Sequence, residues 1–244
     1  MPAGVTVCLF DLDGVLTQTA KVHARAWKQM FDDYLRGRAA TTGADLAPFD
    51  ASVDYAESVD GKPRADGVRS FLASRGIELP EGRPDDPPDA ATINGLGKRK
   101  NELVLEMIRT DGVDPYDGSV RYVKAARAAG LRCAVVSSSA NCREVLAAAG
   151  IADLFEDVVD GHVAQAQHLK GKPAPDTFLA GARAAGASPG HAAVFEDALA
   201  GVEAGRAGNF AIVIGVDRVG QAEALRKHGA NVVVRDLAEL LDAP

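Results

Sequence analysis

From Gly118 onward, the chain alternates short apolar runs with segments of helical character. The strand candidates are LRCAVVS, a run around Val158 and Val159, AAVFED, FAIVIG and NVVV. The segments between them, such as CREVLAAAG and AEALRKHG, end in glycine, which suits a helix C-terminus. Uninterrupted apolar runs are typical of parallel strands that are covered on both faces. The pattern therefore predicts an α/β fold with a doubly wound parallel sheet, in which ligands bind at the carboxyl ends of the strands.

One long stretch, from Thr19 to Tyr116, interrupts this alternation. Its first part carries Trp27, Met30 and Phe31 at helical spacing. Two segments within it are loop-prone, RGRAATTGADLAPFD at 36–50 and PEGRPDDPPDA at 80–90. We expect residues 1–18 and 117–244 to form the α/β core domain, and residues 19–116 to form an inserted α-helical cap domain.

The composition excludes several classes of protein. The 244 residues are 47% hydrophobic and 25% charged, with a formal net charge of -7, so no basic surface for nucleic acid is expected. No apolar run approaches the ~20 residues that span a bilayer, and the first residues do not resemble a signal peptide. The three cysteines have no metal-ligand spacing, and Cys8 and Cys133 are predicted to be small core residues. We expect a cytoplasmic protein without membrane or nucleic-acid partners.

Polar side chains follow the ends of several predicted strands. Asp11 and Asp13 come after the first strand, and Ser137, Ser138 and Ser139 come after the second. Lys172 precedes a helix, and Glu196 and Asp197 close the AAVFED run. Because the carboxyl ends of parallel strands meet at one edge, these groups are expected to converge there.

This set of residues suits magnesium-assisted phosphoryl transfer. Asp11 and Asp13 are two residues apart in extended chain, so both point to the same side of the strand. Their charges repel unless a cation intervenes or one carboxyl holds a proton. Mg²⁺ takes oxygen ligands and would let an anionic nucleophile approach phosphate. Asp13 is then the candidate general acid and base, and Lys172 and Ser137 are the candidates to stabilise the transferring phosphate.

The motifs DLDGVLT, VVSSS, GKPAPD and FEDALAG, in this order, resemble those of the haloacid dehalogenase superfamily. The resemblance implies an aspartyl-phosphate at Asp11 and an acid/base role for Asp13. It also implies two sets of binding residues. The metal set is Asp11, Asp13 through its carbonyl, Asp197 and the nearby Glu196, and the transferring-phosphate set is Ser137, Ser138 and Lys172. Haloacid dehalogenases of this superfamily lack the second aspartate, so Asp13 argues against that activity.

Within the superfamily, the opening DLDGVLTQTAKVHARAWK and the elements GKPR, GKRKN and SSSAN are similar to the β-phosphoglucomutase group. Such enzymes convert β-glucose 1-phosphate to glucose 6-phosphate through a bound bisphosphate. The resemblance implies a set of residues for the sugar and the second phosphate: Thr19, His23, Trp27, Gly61, Arg64, Lys100, Ser139 and Asn141. It implies a small sugar phosphate as the partner and a monomer or weak dimer.

The chain departs from this group at several positions. Gln18 stands where an acidic residue is usual, and Asp60 and Ala140 stand where lysines are expected. The cap also carries extra sequence at 36–49. A sugar-phosphate phosphatase, in which water attacks the aspartyl-phosphate, therefore stays open as the alternative. A signalling switch that is phosphorylated at Asp11 is a third possibility, but receiver domains are about half this length and have no inserted cap.

Overall fold

The computed structural model describes residues 4–43 and 47–241 of the chain. They form two compact units, Met1–Thr19 with Val113–Pro244 and, separately, Ala20–Gly112. The first unit contains a parallel sheet, ordered β3-β2-β1-β4-β5-β6. Its strands are β1 (Val7–Phe10), β2 (Arg132–Val136), β3 (Asp157–Val159), β4 (Ala192–Glu196), β5 (Ile212–Val216) and β6 (Val232–Val234). The predicted doubly wound α/β core is confirmed.

Helices connect successive strands of this unit. Numbered in chain order after the three of the second unit, they are α4 (Asp117–Ala128), α5 (Cys142–Ala148), α6 (Gly161–Ala166), α7 (Asp176–Ala184), α8 (Leu199–Ala207) and α9 (Ala222–His228). The short helix α6 was not predicted; at its start, the Asp160 side chain accepts a hydrogen bond from the backbone N–H of Val163. A 3₁₀ turn, Leu237–Leu240, follows β6.

The sheet is covered on both faces, which explains its uninterrupted apolar strands. On one face, Leu9 of β1 belongs to a buried cluster with Phe178 of α7 and Val202 of α8. On the other face, Phe10 stacks on Phe195 of β4 with ring centroids 4.4 Å apart. Cys8 and Cys133, opposite each other in the β1–β2 register, are both buried, as predicted for small core residues.

The second unit is helical, with α1 (Ala20–Thr42), α2 (Arg64–Ser74), α3 (Ile93–Asp111) and a π-helical turn, Tyr55–Val59. Its buried core is rich in aromatic rings, with Phe31 lying 5.2 Å from Trp27, 5.3 Å from Phe49 and 4.1 Å from Phe71 between centroids.

The prediction of a loop over 36–50 was wrong for its first part, because α1 continues to Thr42. Residues 44–46 of this segment lie outside the described residues. Beyond them, Phe49 is 1% exposed, and its backbone N–H donates to Asp32 at 2.8 Å while its carbonyl accepts from Lys28 at 2.8 Å. The extra segment thus lengthens α1 and contributes a ring to the core of the second unit.

Throughout residues 4–43 and 47–241, every helix is either too short or too polar to cross a bilayer.

Candidate active site

Asp11 lies where the strand order of the sheet reverses. The chain runs from the central β1 outward to β3 and then returns to β4 on the other side of β1. A crevice forms at the carboxyl ends of the strands at such a switch point. Asp11 directly follows β1, is 6% exposed, and donates its backbone N–H to the Phe195 carbonyl of β4 at 2.9 Å. The main chain therefore fixes the position of this buried carboxylate.

Lys172 reaches Asp11 from the segment before α7. Its Nζ lies 2.5 Å from Asp11 Oδ1 and 2.7 Å from Glu196 Oε1, and donates to the Val136 carbonyl at 3.3 Å. Burial acts to lower the pKa of Lys172, but the charges of Asp11 and Glu196 outweigh it and hold the pKa above its usual value. Lys172 is thus a buried ammonium at the end of three strands.

Burial raises the pKa of Asp11 well above its usual range, and Glu196 and Asp13 act in the same direction, while Lys172 opposes them. Asp11 can serve as an anionic nucleophile only if nearby positive charge offsets the cost of burying its carboxylate. Lys172 supplies one such charge.

Asp11, Glu196 and Asp197 each place one carboxylate oxygen within 4.8 Å of the others, and all three residues are buried. Three carboxylates and one ammonium leave a net negative charge at this site. Hard divalent cations prefer carboxylate oxygen as a ligand. The donor set therefore fits a divalent cation. Glu196 accepts from Lys172 with one oxygen and from the Ala198 backbone N–H with the other, so it orients Lys172 whether or not it also contacts the cation.

Two glycines make this packing possible. Gly14 has a φ of +87°, and a Cβ at this position would overlap the Asp197 carboxylate. Gly201 of α8 faces Glu196, and a Cβ there would overlap the Glu196 carboxylate. The motifs DLDG and FEDALAG therefore need glycine because an acidic side chain lies directly against the backbone.

A chain of hydroxyl groups holds Asp13. Thr19 Oγ1 donates to Asp13 Oδ1 and lies 2.7 Å from Thr17 Oγ1, which in turn lies 3.2 Å from the Leu12 carbonyl. Both threonines are buried, whereas Asp13 is only partly so. The arrangement orients the Asp13 carboxyl. Thr19, which was predicted to contact substrate, contacts Asp13 in the structure.

Hydrogen bonds from backbone N–H groups fix the serine-rich loop after β2. Ser137 is 2% exposed, its N–H donates to the Val159 carbonyl at 3.0 Å, and its hydroxyl accepts from the Ser139 N–H at 3.0 Å. The Ser139 hydroxyl accepts from the Asn141 N–H at 3.2 Å. A Cβ at Gly161 would lie 3.0 Å from the Ser138 carbonyl. Asn141 precedes α5, and its side chain makes no capping bond to the described first turn of that helix.

The remaining predicted residues gather within the second unit. Lys100 Nζ lies 2.9 Å from His23 Nδ1 and 4.8 Å from the centroid of the Trp27 ring, and Lys100 is 6% exposed. Arg64 begins α2, just after Gly61, whose φ is +68°.

Arg64 and Lys100 belong to the same region of this unit. A Cβ on Gly97 of α3 would lie 3.4 Å from Arg64 Cγ, so the Arg64 stem runs along α3 one turn before Lys100. Burial lowers the pKa of Arg64, as expected for a partly desolvated guanidinium. Trp27 is 3% exposed and packs against Gly67, so it is mainly a core ring that also supports Lys100.

Four residues that support the site had no predicted role: Gly14, Thr17, Gly161 and Gly201. Gly14 and Gly201 stand inside the quoted motifs, where a glycine near a predicted site carboxylate is a signal for close backbone approach, and Gly161 is the first residue of α6. Thr17 carries no such signal, because its role depends on the fold of the 11–19 loop.

Known proteins resemble this chain over most of its length. Residues 5–209 match the family model described as a haloacid dehalogenase-like hydrolase. The chain is 58% identical over 244 residues to a protein from Mycobacterium tuberculosis named β-phosphoglucomutase, with 99% of this chain and 93% of that protein covered. A Bacillus subtilis protein of the same name is 31% identical, with 95% and 90% covered.

Among solved structures, the fold is similar to a crystal structure of β-phosphoglucomutase from Clostridium difficile. The TM-score is 0.75 at 25% identity, and 97% of this chain and 93% of that chain are covered. The likeness therefore extends over both units of the chain.

Proposed function

The chain belongs to the haloacid dehalogenase-like hydrolase family, and from this premise we propose that it moves phosphoryl groups on a sugar phosphate through Asp11. The observation that carries the proposal is the buried contact of Asp11 with Lys172, beside Asp13, whose carboxyl is oriented by Thr19. A nucleophile, a fixed positive charge and a separate acid/base group then stand at one edge of the sheet.

Asp11 and Asp13 divide the chemistry. In the first half-reaction, an Asp11 oxygen attacks phosphorus while Asp13 gives its proton to the leaving oxygen. In the second, Asp13 takes the proton of an acceptor hydroxyl as that oxygen attacks phosphorus, and Asp11 leaves as a carboxylate. Lys172 and Ser137, with backbone N–H groups of the serine loop, stabilise the oxygens of the transferring group, and Ser138 belongs to the same subsite.

We assign the cation as Mg²⁺, because Mg²⁺ is commonly held by one or two carboxylates together with substrate phosphate. Asp11, Asp197 and the Asp13 carbonyl would hold it, with Glu196 beside them. When bound, it would offset the negative charge shared by the nucleophile and the phosphate. Asp13 would contribute its backbone oxygen to the cation and keep its side chain for proton transfer.

For the substrate we propose β-glucose 1-phosphate, converted to glucose 6-phosphate through a bound 1,6-bisphosphate. Its support is the name shared by the 58% and 31% identical relatives. Arg64 suits the second phosphate, because a guanidinium binds phosphate oxygens with two parallel hydrogen bonds. The proposed sugar and second-phosphate residues are Thr19, His23, Trp27, Gly61, Arg64, Lys100, Ser139 and Asn141.

The phosphatase alternative rests on two positions. Asp60 and Ala140 place an acidic and an apolar side chain at positions where the β-phosphoglucomutase group has lysines. A weaker hold on the second phosphate would favour release of the bisphosphate and attack by water. A cytoplasmic location and a monomer or weak dimer stay predictions.

A single assay separates the two reactions. The chain is given β-glucose 1-phosphate, Mg²⁺ and a trace of β-glucose 1,6-bisphosphate, and glucose 6-phosphate and free phosphate are measured together. We expect glucose 6-phosphate with little free phosphate, and loss of both products in Asp11→Asn. Stoichiometric free phosphate would establish the phosphatase instead. If the wild type forms neither product, the assignment of glucose as the sugar is wrong.

Arg64→Ala tests the second-phosphate grip in the same assay. We expect glucose 6-phosphate formation to fall and the share of free phosphate to rise. Arg69→Ala, in the same helix, is the matched control, because Arg69 is half-exposed and pairs with Asp66 and Glu81 at the surface. The control should keep the wild-type product ratio.

A further inference from the structure

Arg218, in the loop between β5 and α9, lies against the acidic site although it is distant from it in sequence. Its side chain is 14% exposed, and its guanidinium lies 3.5 Å from the centroid of the Tyr116 ring. A long charged side chain that is held this deeply normally has a fixed set of acceptors.

Two of the acceptors of Arg218 are backbone oxygens of the loop that follows Asp13. Arg218 Nε donates to the Gly14 carbonyl at 2.8 Å, and Nη2 donates to the Val15 carbonyl at 3.4 Å. On its other side, Nη1 donates to the Arg235 carbonyl at 2.8 Å and pairs with the Asp236 carboxylate at 3.3 Å. The planar guanidinium therefore ties the loop after β1 to the end of β6.

Gln221, three residues later, holds the other side of the same site. Its side-chain Nε2 donates to the Asp197 carbonyl at 3.0 Å. Gln221 is itself fixed, because Asp217 Oδ1 accepts the backbone N–H groups of Gly220 and Gln221, each at 2.7 Å. One short loop thus contacts both the Gly14 segment and the Asp197 segment.

These two segments touch each other at the cation site. Gly14 directly follows Asp13, and the Asp197 carboxylate packs so closely on Gly14 that a Cβ would overlap it. A shift of either segment would change the distance between the Asp13 carbonyl and the Asp197 carboxylate. Groups that orient metal ligands in this way commonly contribute about 10- to 100-fold to metal affinity.

We propose that Arg218 and Gln221 are positioning residues that fix the spacing of the cation ligands from outside the site. The inference rests on the proposed function, since it takes Asp13 and Asp197 as ligands. Arg218 fixes the loop that carries the Asp13 carbonyl, and Gln221 fixes the backbone of Asp197. Neither touches the substrate or the cation.

The test is calorimetric titration of the full chain with Mg²⁺ alone, for the wild type, Arg218→Ala, Arg218→Lys and Gln221→Ala. We expect the Mg²⁺ dissociation constant to rise by about 10- to 100-fold in Arg218→Ala. Arg218→Lys should also bind weakly, because an ammonium keeps the charge but cannot span the Gly14 and Arg235 carbonyls together. In turnover, the Mg²⁺ activation constant should rise while the KM for β-glucose 1-phosphate stays unchanged.

Arg132→Ala is the matched control. Arg132 makes two ion pairs, with Glu156 at 3.1 Å and Asp157 at 2.9 Å, but it begins β2, at the amino ends of the strands and away from the acidic site. Its loss should leave Mg²⁺ affinity unchanged. Wild-type affinity in Arg218→Lys and Gln221→Ala would overturn the proposal, and so would an equal loss in Arg132→Ala. If Arg218→Ala fails to fold, the lysine and Gln221 variants carry the test.

Asp197→Asn separates this inference from the proposed function. If Asp197→Asn binds Mg²⁺ like the wild type, the assigned cation site is wrong. If it loses binding while the Arg218 and Gln221 variants do not, only the positioning roles are wrong.

Discussion

At the scale of single residues, Lys172 joins Asp11, the proposed nucleophile, to Glu196. Its ammonium contacts Asp11 and Glu196, and its side chain is fully buried. Removing one member of a buried ion pair leaves an uncompensated charge, which is costly. Lys172 is therefore held in place by the two carboxylates that it contacts.

Gly14 offers a prediction that separates backbone strain from site geometry. Gly14→Ala should cost about 1–2 kcal/mol for the left-handed backbone. Its Cβ should also displace Asp197, and a displacement near 1 Å lowers turnover by about 100-fold. Urea unfolding measures the loss of stability, and an activity assay measures the loss of turnover.

Gly130→Ala is the control for this prediction. Gly130 has a φ of +83°, similar to the +87° of Gly14, but a Cβ there meets nothing within 4 Å. It should lose similar stability and keep its turnover. Wild-type turnover in Gly14→Ala would contradict the close packing of Asp197 on Gly14.

The sequence predicted which side chains converge at the candidate site better than it predicted the contacts that support them. Asp11, Lys172 and Glu196 were expected to converge because parallel strands bring their carboxyl ends to one edge, and the structure brings these side chains into contact. The contact of Arg218 with Gly14 joins residues that are far apart in the chain, so no local pattern predicts it. Thr17 was missed because its partner depends on a turn that the strand pattern does not describe.

At the scale of elements, buried strands were the most predictable, since both faces of the sheet are covered and their apolar runs are unbroken. Short helices, and the exact end of the long helix α1, were less predictable. The α6 helix has six residues, and its only local signal is the capping Asp160. The end of α1 reads as a loop because of Gly37 and the paired threonines, yet packing of Phe49 on Phe31 anchors the chain that follows it.

Phe49→Ala tests the role of this extra segment. Truncating a buried Phe typically costs about 3–5 kcal/mol, so the second unit should be strongly destabilised. The chain has one tryptophan, Trp27, which lies in this unit, so its fluorescence during urea unfolding reports on the unit directly.

Val53→Ala is the surface control for that substitution. Val53 is 57% exposed, and the change should alter the free energy of unfolding by less than about 0.5 kcal/mol. An equally small effect of Phe49→Ala would mean that the extra segment does not support the core of the second unit.

At the scale of the molecule, the sheet unit contains the complete acidic site, because Asp11, Asp13, Lys172 and Asp197 all belong to it. Mg²⁺ should therefore stabilise this unit. At a free concentration of 100 times its dissociation constant, binding to the native state adds about 2.7 kcal/mol. Hydrogen exchange of peptides covering β1 and β4, with and without Mg²⁺, measures this. The same protection in Asp197→Asn would contradict the assigned site.

The central claim is that Asp11 forms the covalent phosphoryl intermediate, and trapping that intermediate tests it most directly. The chain would be mixed with β-glucose 1,6-bisphosphate and Mg²⁺, quenched in acid within the first turnover and analysed by peptide mass spectrometry. We predict one added phosphoryl group on Asp11 in the peptide spanning β1, absent from Asp11→Asn. A phosphoryl group on any other residue, or rapid turnover in Asp11→Asn, would contradict the account.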